Sequence, residues 1–195
     1  MSARDRILER VHQALTTRGN VPHPGPFGGW RPEDTPSAVE AFRRLFEAAG
    51  GEVVRVSTEQ EAHSWMYEFG SDFESAAPGQ GVPEPLRPPV PSAPPSQAGL
   101  GVSMARCAVA ETGSLVLGSE DGRGAQLLPP THVVFIREAD IYSTLCEALT
   151  SLKPELPSAL GLHSGPSKSA DIGQILVKGV HGPGRVVAVL IGRHP

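Results

Sequence analysis

The residues best placed to do chemistry lie between positions 161 and 184, in the stretch GLHSGPSKSADIGQILVKGVHGPG. Ser164, Gly165, Ser167, Lys168 and Ser169 gather hydroxyls, backbone N–H groups and one cation just before a helix predicted over 170–177. Amides at a helix start, with a cation beside them, suit an anion. The same residues also read as an ordinary strand-to-helix turn capped by Ser169, with Asp171 favouring the helix dipole, and the sequence leaves both readings open. His181, in the 179–183 turn, either contacts a ligand or holds the turn. Glu111 is the other candidate. It follows an apolar strand and precedes Thr112 and Gly113, where a carboxylate is either partly buried with a shifted pKa or caps the turn through neighbouring N–H groups.

Established motifs restrict these choices. A phosphate loop starting at Gly161 would need glycine at Pro166 and lysine at Ser167, a nucleophile elbow starting at Gly165 meets Ser169 where its last glycine belongs, and the 179–182 turn does not make a dinucleotide fingerprint. The chain has no CxxC, no HExxH and no EF-hand loop, and its histidines are scattered singly, so no metal site and no iron–sulfur cluster is expected on this polypeptide. Cys107 and Cys146 lie far apart in apolar-patterned segments and are read as buried thiols in a reducing compartment. A net charge of −4 and a pI near 6.0 supply no field for nucleic acid or anionic lipid. Charges interrupt the apolar positions of the first 15 residues and no run approaches about 18 apolar residues. A cytoplasmic protein without membrane insertion is expected.

The positioning elements alternate. Ile7, Leu8, Val11, Ala14 and Leu15 give an amphipathic helix over 3–17, followed by a Pro/Gly arm at 21–30 carrying Phe27 and Trp30. Thr35 and Pro36 read as an N-cap and first helical position for a helix with Val39, Phe42, Leu45 and Phe46 on one stripe. A strand at 52–56 and a helix from about Glu59 to Phe69, with Trp65 and Phe69 packed at i, i+4, come next. Residues 75–98 are too rich in proline for a central strand or helix and read as a mobile insertion, either a lid or spacer or a polyproline II ligand of PxxP type. Strands follow at 100–105, 106–110, 114–117 and 132–136, then a helix at 138–152, a strand at 160–163, the 170–177 helix and a closing strand RVVAVLI over 185–191. Consecutive apolar residues in that last strand imply burial on both faces. The expected fold is a three-layer α/β/α domain with a mostly parallel or mixed sheet. Its parts are N-terminal helices and first strand (1–74), the insertion (75–98) and the α/β core (99–195), one domain overall.

Four motifs in fixed order then carry a family likeness: AETGSL at 110–115, LLPPTH at 127–132, SGPSKSADI at 164–172 and GVHGP at 179–183. The chain resembles the lactate-utilisation protein C (LutC/YkgG) family, with a LUD domain, most strongly over 99–191. The resemblance implies a NagB/RpiA/CoA-transferase-like fold. It also implies an accessory or substrate-handling role in L-lactate oxidation to pyruvate, beside an iron–sulfur protein and a cysteine-rich protein that carry the clusters, with no cofactor on this chain. Thr112, Gly113, Ser164, Gly165, Ser167, Lys168, Ser169 and His181 are then the expected contacts of a small anion. The same superfamily suggests a second reading, with Glu111 in its Glu-Thr-Gly context as nucleophile towards a thioester. Where many relatives have Arg-Thr, this chain has Lys168-Ser169, which keeps the charge and gives up the bidentate fork.

Overall fold

A computed structural model describes residues 2–17, 37–170 and 176–192. They fall into two compact units, Met1–Glu33 and Asp34–Pro195. In the first, helix α1 (Ala3–Thr17) begins with a reciprocal cap, Ser2 Oγ accepting from the Asp5 amide and Asp5 Oδ2 accepting from the Ser2 amide. The arm at 21–30 and the Thr35-Pro36 cap lie outside the described residues.

The second unit runs α2 (Ala38–Ala48), β1 (Glu52–Val56), α3 (Glu59–Gly70), β2 (Ala76–Pro78), β3 (Leu100–Met104), β4 (Cys107–Val109), β5 (Ser114–Gly118), α4 (Arg123–Leu127), β6 (Thr131–Arg137), β7 (Ile141–Tyr142), α5 (Leu145–Leu152), β8 (Leu160–His163), β9 (Lys168–Ala170), β10 (Leu176–Lys178) and β11 (Arg185–Ile191). Five parallel strands form the central sheet in the order β1-β11-β6-β3-β2. The RVVAVLI strand pairs on both sides and is apolar on both faces. Val186, Ala188 and Leu190 join the core beneath α2, while Val187, Val189 and Ile191 join the core beneath α3. Phe42 and Phe46, stacked at 5.4 Å between centroids, are wholly buried on the first side. Each is worth about 1.5–3 kcal/mol of burial. Trp65 and Phe69 stack at 4.7 Å on the second, as their i, i+4 spacing requires.

A second sheet, β7-β4-β5-β8, lies over the α2 side of the central sheet. Leu115 and Leu117 face inward to the shared core, while Cys107, Val109 and Val116 face outward and are covered by Ala148 and Leu152 of α5. The architecture is thus α/β with a parallel central sheet and flanking helices, as expected, with this extra sheet interposed on one side.

Four local expectations are corrected. The 75–98 segment is not a mobile insertion: Ala76–Pro78 is the edge strand beside β3, the Ala76 amide donates to Pro91 O at 3.1 Å, the Ala93 amide to Ala76 O at 2.9 Å, and Val82 and Leu86 are buried. Proline is tolerated there because, among the described residues, the outer side of Ala76–Pro78 is bridged at Ala76 alone, to Ser92. The 138–152 helix is two elements, since Ile141 and Tyr142 pair with β4 and Thr144 restarts the chain as the N-cap of α5 in a capping box with Glu147. The 170–177 helix is replaced by an antiparallel β9–β10 hairpin in which Ser169 faces Val177 and Lys168 faces Lys178; Asp171 lies outside the described residues. Finally, Cys146 is exposed in the first turn of α5, and Cys107 alone is buried, its thiol pushed up to about 11 by desolvation. Ser37 caps α2, its hydroxyl accepting from the Glu40 amide.

Candidate functional site

Glu111 sits at the end of β4, in the turn that enters β5. The turn depends on Gly113, whose φ is +58° and whose Cβ, if present, would lie 2.7 Å from the Phe46 nitrogen. Only glycine meets both demands. The Glu111 side chain is exposed, and its Oε1 accepts from the Leu145 N–H at 2.7 Å. It thereby caps the first amide of α5, where the helix dipole favours negative charge, while Thr144 Oγ1 takes the Glu147 amide at 3.2 Å.

Next to it the β5–β8 pairing, with Leu115 opposite His163, brings Ser114 and Ser164 together. Ser114 Oγ lies 2.6 Å from Ser164 Oγ and 2.8 Å from Thr112 Oγ1, which makes a row of three hydroxyls with buried Ser114 between exposed Thr112 and exposed Ser164. Each hydroxyl both donates and accepts, so the row can present a donor or an acceptor at either end.

Lys168 has a different partner. Its Nζ donates to the carbonyl of Ala49, the C-cap of α2, and the chain reaches that point through Gly165, at φ +111° and close against the same carbonyl. A cation at a helix C-terminus is favoured by the dipole and satisfies an orphan carbonyl. Ser167 is held by backbone bonds: its amide donates to Pro183 O and its carbonyl accepts from the Gly179 amide, each at 2.9 Å. Ser169 is in the hairpin, and His181 is exposed in the loop beyond it. The structure therefore gathers Glu111, Thr112, Gly113, Ser164, Gly165 and Lys168 around the end of α2 and the start of α5. Ser167, Ser169 and His181 follow the hairpin instead, and among the described residues no helix start stands behind Lys168.

A feature not singled out in the sequence is a pair of histidines between the two sheets. His132, on the central strand β6, is fully buried; its Nε2 is 2.9 Å from Ser103 Oγ, and its Nδ1 has no partner among the described residues. Burial first, and His163 second, depress its pKa to about 3, and burial also lowers that of His163, whose ring centroid is 6.2 Å away. The signal was a single histidine opening the apolar run HVVFI. Among the described residues no group of three or more His, Cys, Asp or Glu side chains could hold a metal ion. Nor is any helix among them long and apolar enough to cross a membrane.

Residues 96–191 match the family described as LUD domain. Proteins named Lactate utilization protein C from Bacillus licheniformis and Bacillus subtilis are each 34% identical over 103 residues, which is 49% of this chain and 43% of theirs. The protein of that name from Halalkalibacterium halodurans is 35% identical over 103 residues, 45% of its length. The chain thus matches less than half the length of these curated relatives. A crystal structure of a DUF162 family protein from Deinococcus radiodurans superposes with a TM-score of 0.60 at 19% identity, covering 80% of this chain and 96% of that one, and shows the shared fold. The match over 96–191 takes in β3 through β11 together with the hydroxyl row and Glu111, and by it this stretch is a LUD domain.

Proposed function

We propose that this chain serves lactate utilisation as an accessory or substrate-handling subunit of an iron–sulfur-dependent oxidation of L-lactate to pyruvate. The observation that carries the reading is the 34% identity to Lactate utilization protein C over 103 residues, beside the LUD-domain match over 96–191, the stretch that builds the hydroxyl row. In this reading the row Thr112–Ser114–Ser164 receives the small anion, with exposed Ser164 donating to it and Lys168 supplying positive potential nearby. The two electrons and two protons that leave lactate pass to partners, an iron–sulfur protein and a cysteine-rich protein, and this chain holds no cluster.

Deleting the gene and scoring growth on L-lactate, together with affinity purification of the full chain from lactate-grown cells, tests the proposal. Lost growth, restored by the intact gene, and recovery of an iron–sulfur protein with the chain are expected. Unimpaired growth and a purification free of iron–sulfur protein would remove it. A transferase reading keeps one supporting observation, the exposed Glu111 carboxylate at the end of β4. Intact mass after incubation with acyl-CoA thioesters decides that question, since a glutamyl nucleophile leaves an adduct that Glu111→Gln abolishes.

A further inference from the structure

His163 occupies a position that the pairing of β8 assigns to the core. It stands opposite Leu115, and Gly161, two residues earlier, stands opposite Leu117; both leucines are wholly buried in the core shared by the two sheets. Alternation along β8 turns His163 and Gly161 towards that same core. The missing side chain of Gly161 makes room for the ring, since a Cβ there would lie 2.8 Å from His163 Nε2. His132 lies across the gap, fully buried, its ring at 68° to that of His163 and its Nδ1 without a partner among the described residues. Two neutral imidazoles can pack in this way. A proton on His132 Nδ1 would make a buried donor with no acceptor, and a proton on each ring would set like charges together between apolar sheets.

The neighbouring elements offer no compensating charge. Gly101 of β3 and Val186 of β11 flank His132, Ser103 of β3 gives it a hydroxyl, and β5 sets Leu115 opposite His163. The one charge acting on His132 is that of His163, and burial alone acts on His163, so both rings take up a proton more readily once released to water. The element able to release them is β8, an edge strand paired with β5 alone, with Leu162 exposed on its other face. It is fastened before and after: the Ser119 amide donates to Ala159 O at 3.1 Å, and Lys168 Nζ donates to the Ala49 carbonyl. Between these fastenings lies Ser164, bonded to Ser114. We propose that the His132–His163 contact is an acid-released latch: neutral, it holds β8 against the central sheet; protonated, it frees β8 and withdraws Ser164 from Ser114. An anion held by Ser164 and the released strand then exclude each other, a coupling that rests on the hydroxyl row being the anion site.

Native-state hydrogen exchange of the full chain tests this, read as protection factors corrected for the intrinsic pH dependence of exchange. From about pH 6 to about pH 5 the protection of β8 is expected to fall about tenfold for each proton taken up on opening, and to stay below that of β6 throughout. His163→Leu, which continues the leucines of that core, and His163→Gln, which keeps a polar group, each remove the titrating ring. In either variant that melts cooperatively, the fall is expected to be about tenfold smaller than in the parent, the share of one proton. Protection of β8 that does not change with pH would overturn the latch, as would a fall equally steep in a folded variant. Sodium L-lactate added at millimolar concentration separates the latch from the anion site. A rise in β8 protection on its addition supports both, whereas a pH dependence that stands while lactate leaves β8 unchanged supports the latch and removes the hydroxyl row as the anion site.

Discussion

At the scale of single residues, His132 makes the fold sensitive to acid. Its folded pKa of about 3 lies below the ordinary value of 6.5, so the native state keeps the ring neutral while the unfolded chain takes up a proton first. The resulting loss of stability is absent above pH 6.5 and grows as pH falls towards 3, at about 1.4 kcal/mol per pH unit. His163, also depressed, acts in the same direction. Between 6.5 and the ordinary glutamate value of 4.5, ahead of the Glu52 carboxylate that Arg185 holds low, urea midpoints should therefore fall steadily, and His132→Gln should flatten much of that slope. A midpoint constant across this window contradicts the assignment. Glu111 offers a second test, because its oxygen caps α5. Glu111→Gln keeps an acceptor and should melt like the parent, whereas Glu111→Ala should lose about 1 kcal/mol. Residue types gave fair notice of Glu111, Thr112 and Ser164, which do converge. They gave none of Lys168's partner, because Ala49 is 119 positions away and contributes only a carbonyl.

At the scale of elements, helix ends decide the local geometry. Lys168→Ala removes the cation from the C-terminus of α2 and should cost about 0.3–1 kcal/mol, with the melt of Lys168→Arg nearer to the parent's. Thr144→Ala should cost about 1 kcal/mol by opening the capping box of α5. Equal melts for parent and both alanine variants would remove these assignments. Periodicity made α1, α2 and α3 legible, and the consecutive apolar run identified β11 as a strand covered on both faces. The same rule failed at 170–177, where Ile172, Ile175 and Leu176 mimic helical spacing. Gly173 in the middle of that segment costs a helix about 1 kcal/mol, and a strand partner at Lys168–Ala170 was available. The proline-rich segment misled in the opposite sense. Composition warned against a central strand, and the structure uses three of its residues as an edge strand, where the warning does not apply.

At the scale of the whole molecule, the matched stretch 96–191 does not contain its own sheet. Strands β1 and β2, the two edges of the central sheet, and helices α2 and α3, which cover its faces, all precede residue 96. A fragment beginning there would expose β11 and β3 as unpaired edges and uncover both cores. It should show no cooperative melt and should aggregate, while the full chain unfolds in one transition; a monomeric fragment with a sharp melt would contradict this. Native-state hydrogen exchange should find β6 and β11 slowest, since each is paired on both sides and buried. The passage from one sheet to the other has a further consequence. Ala105 gives its amide to Phe135 O in the central sheet at 2.8 Å, and the next residue, Arg106, gives its amide to Val116 O in the second at 2.9 Å. No slack exists between the two. A single residue inserted between Met104 and Cys107 would turn β4 over, sending Cys107 and Val109 towards α2 and Ala108 towards α5, and exchanging large for small side chains in two cores at once. Point substitutions can accumulate around this crossing over evolutionary time, but its length has no room to drift.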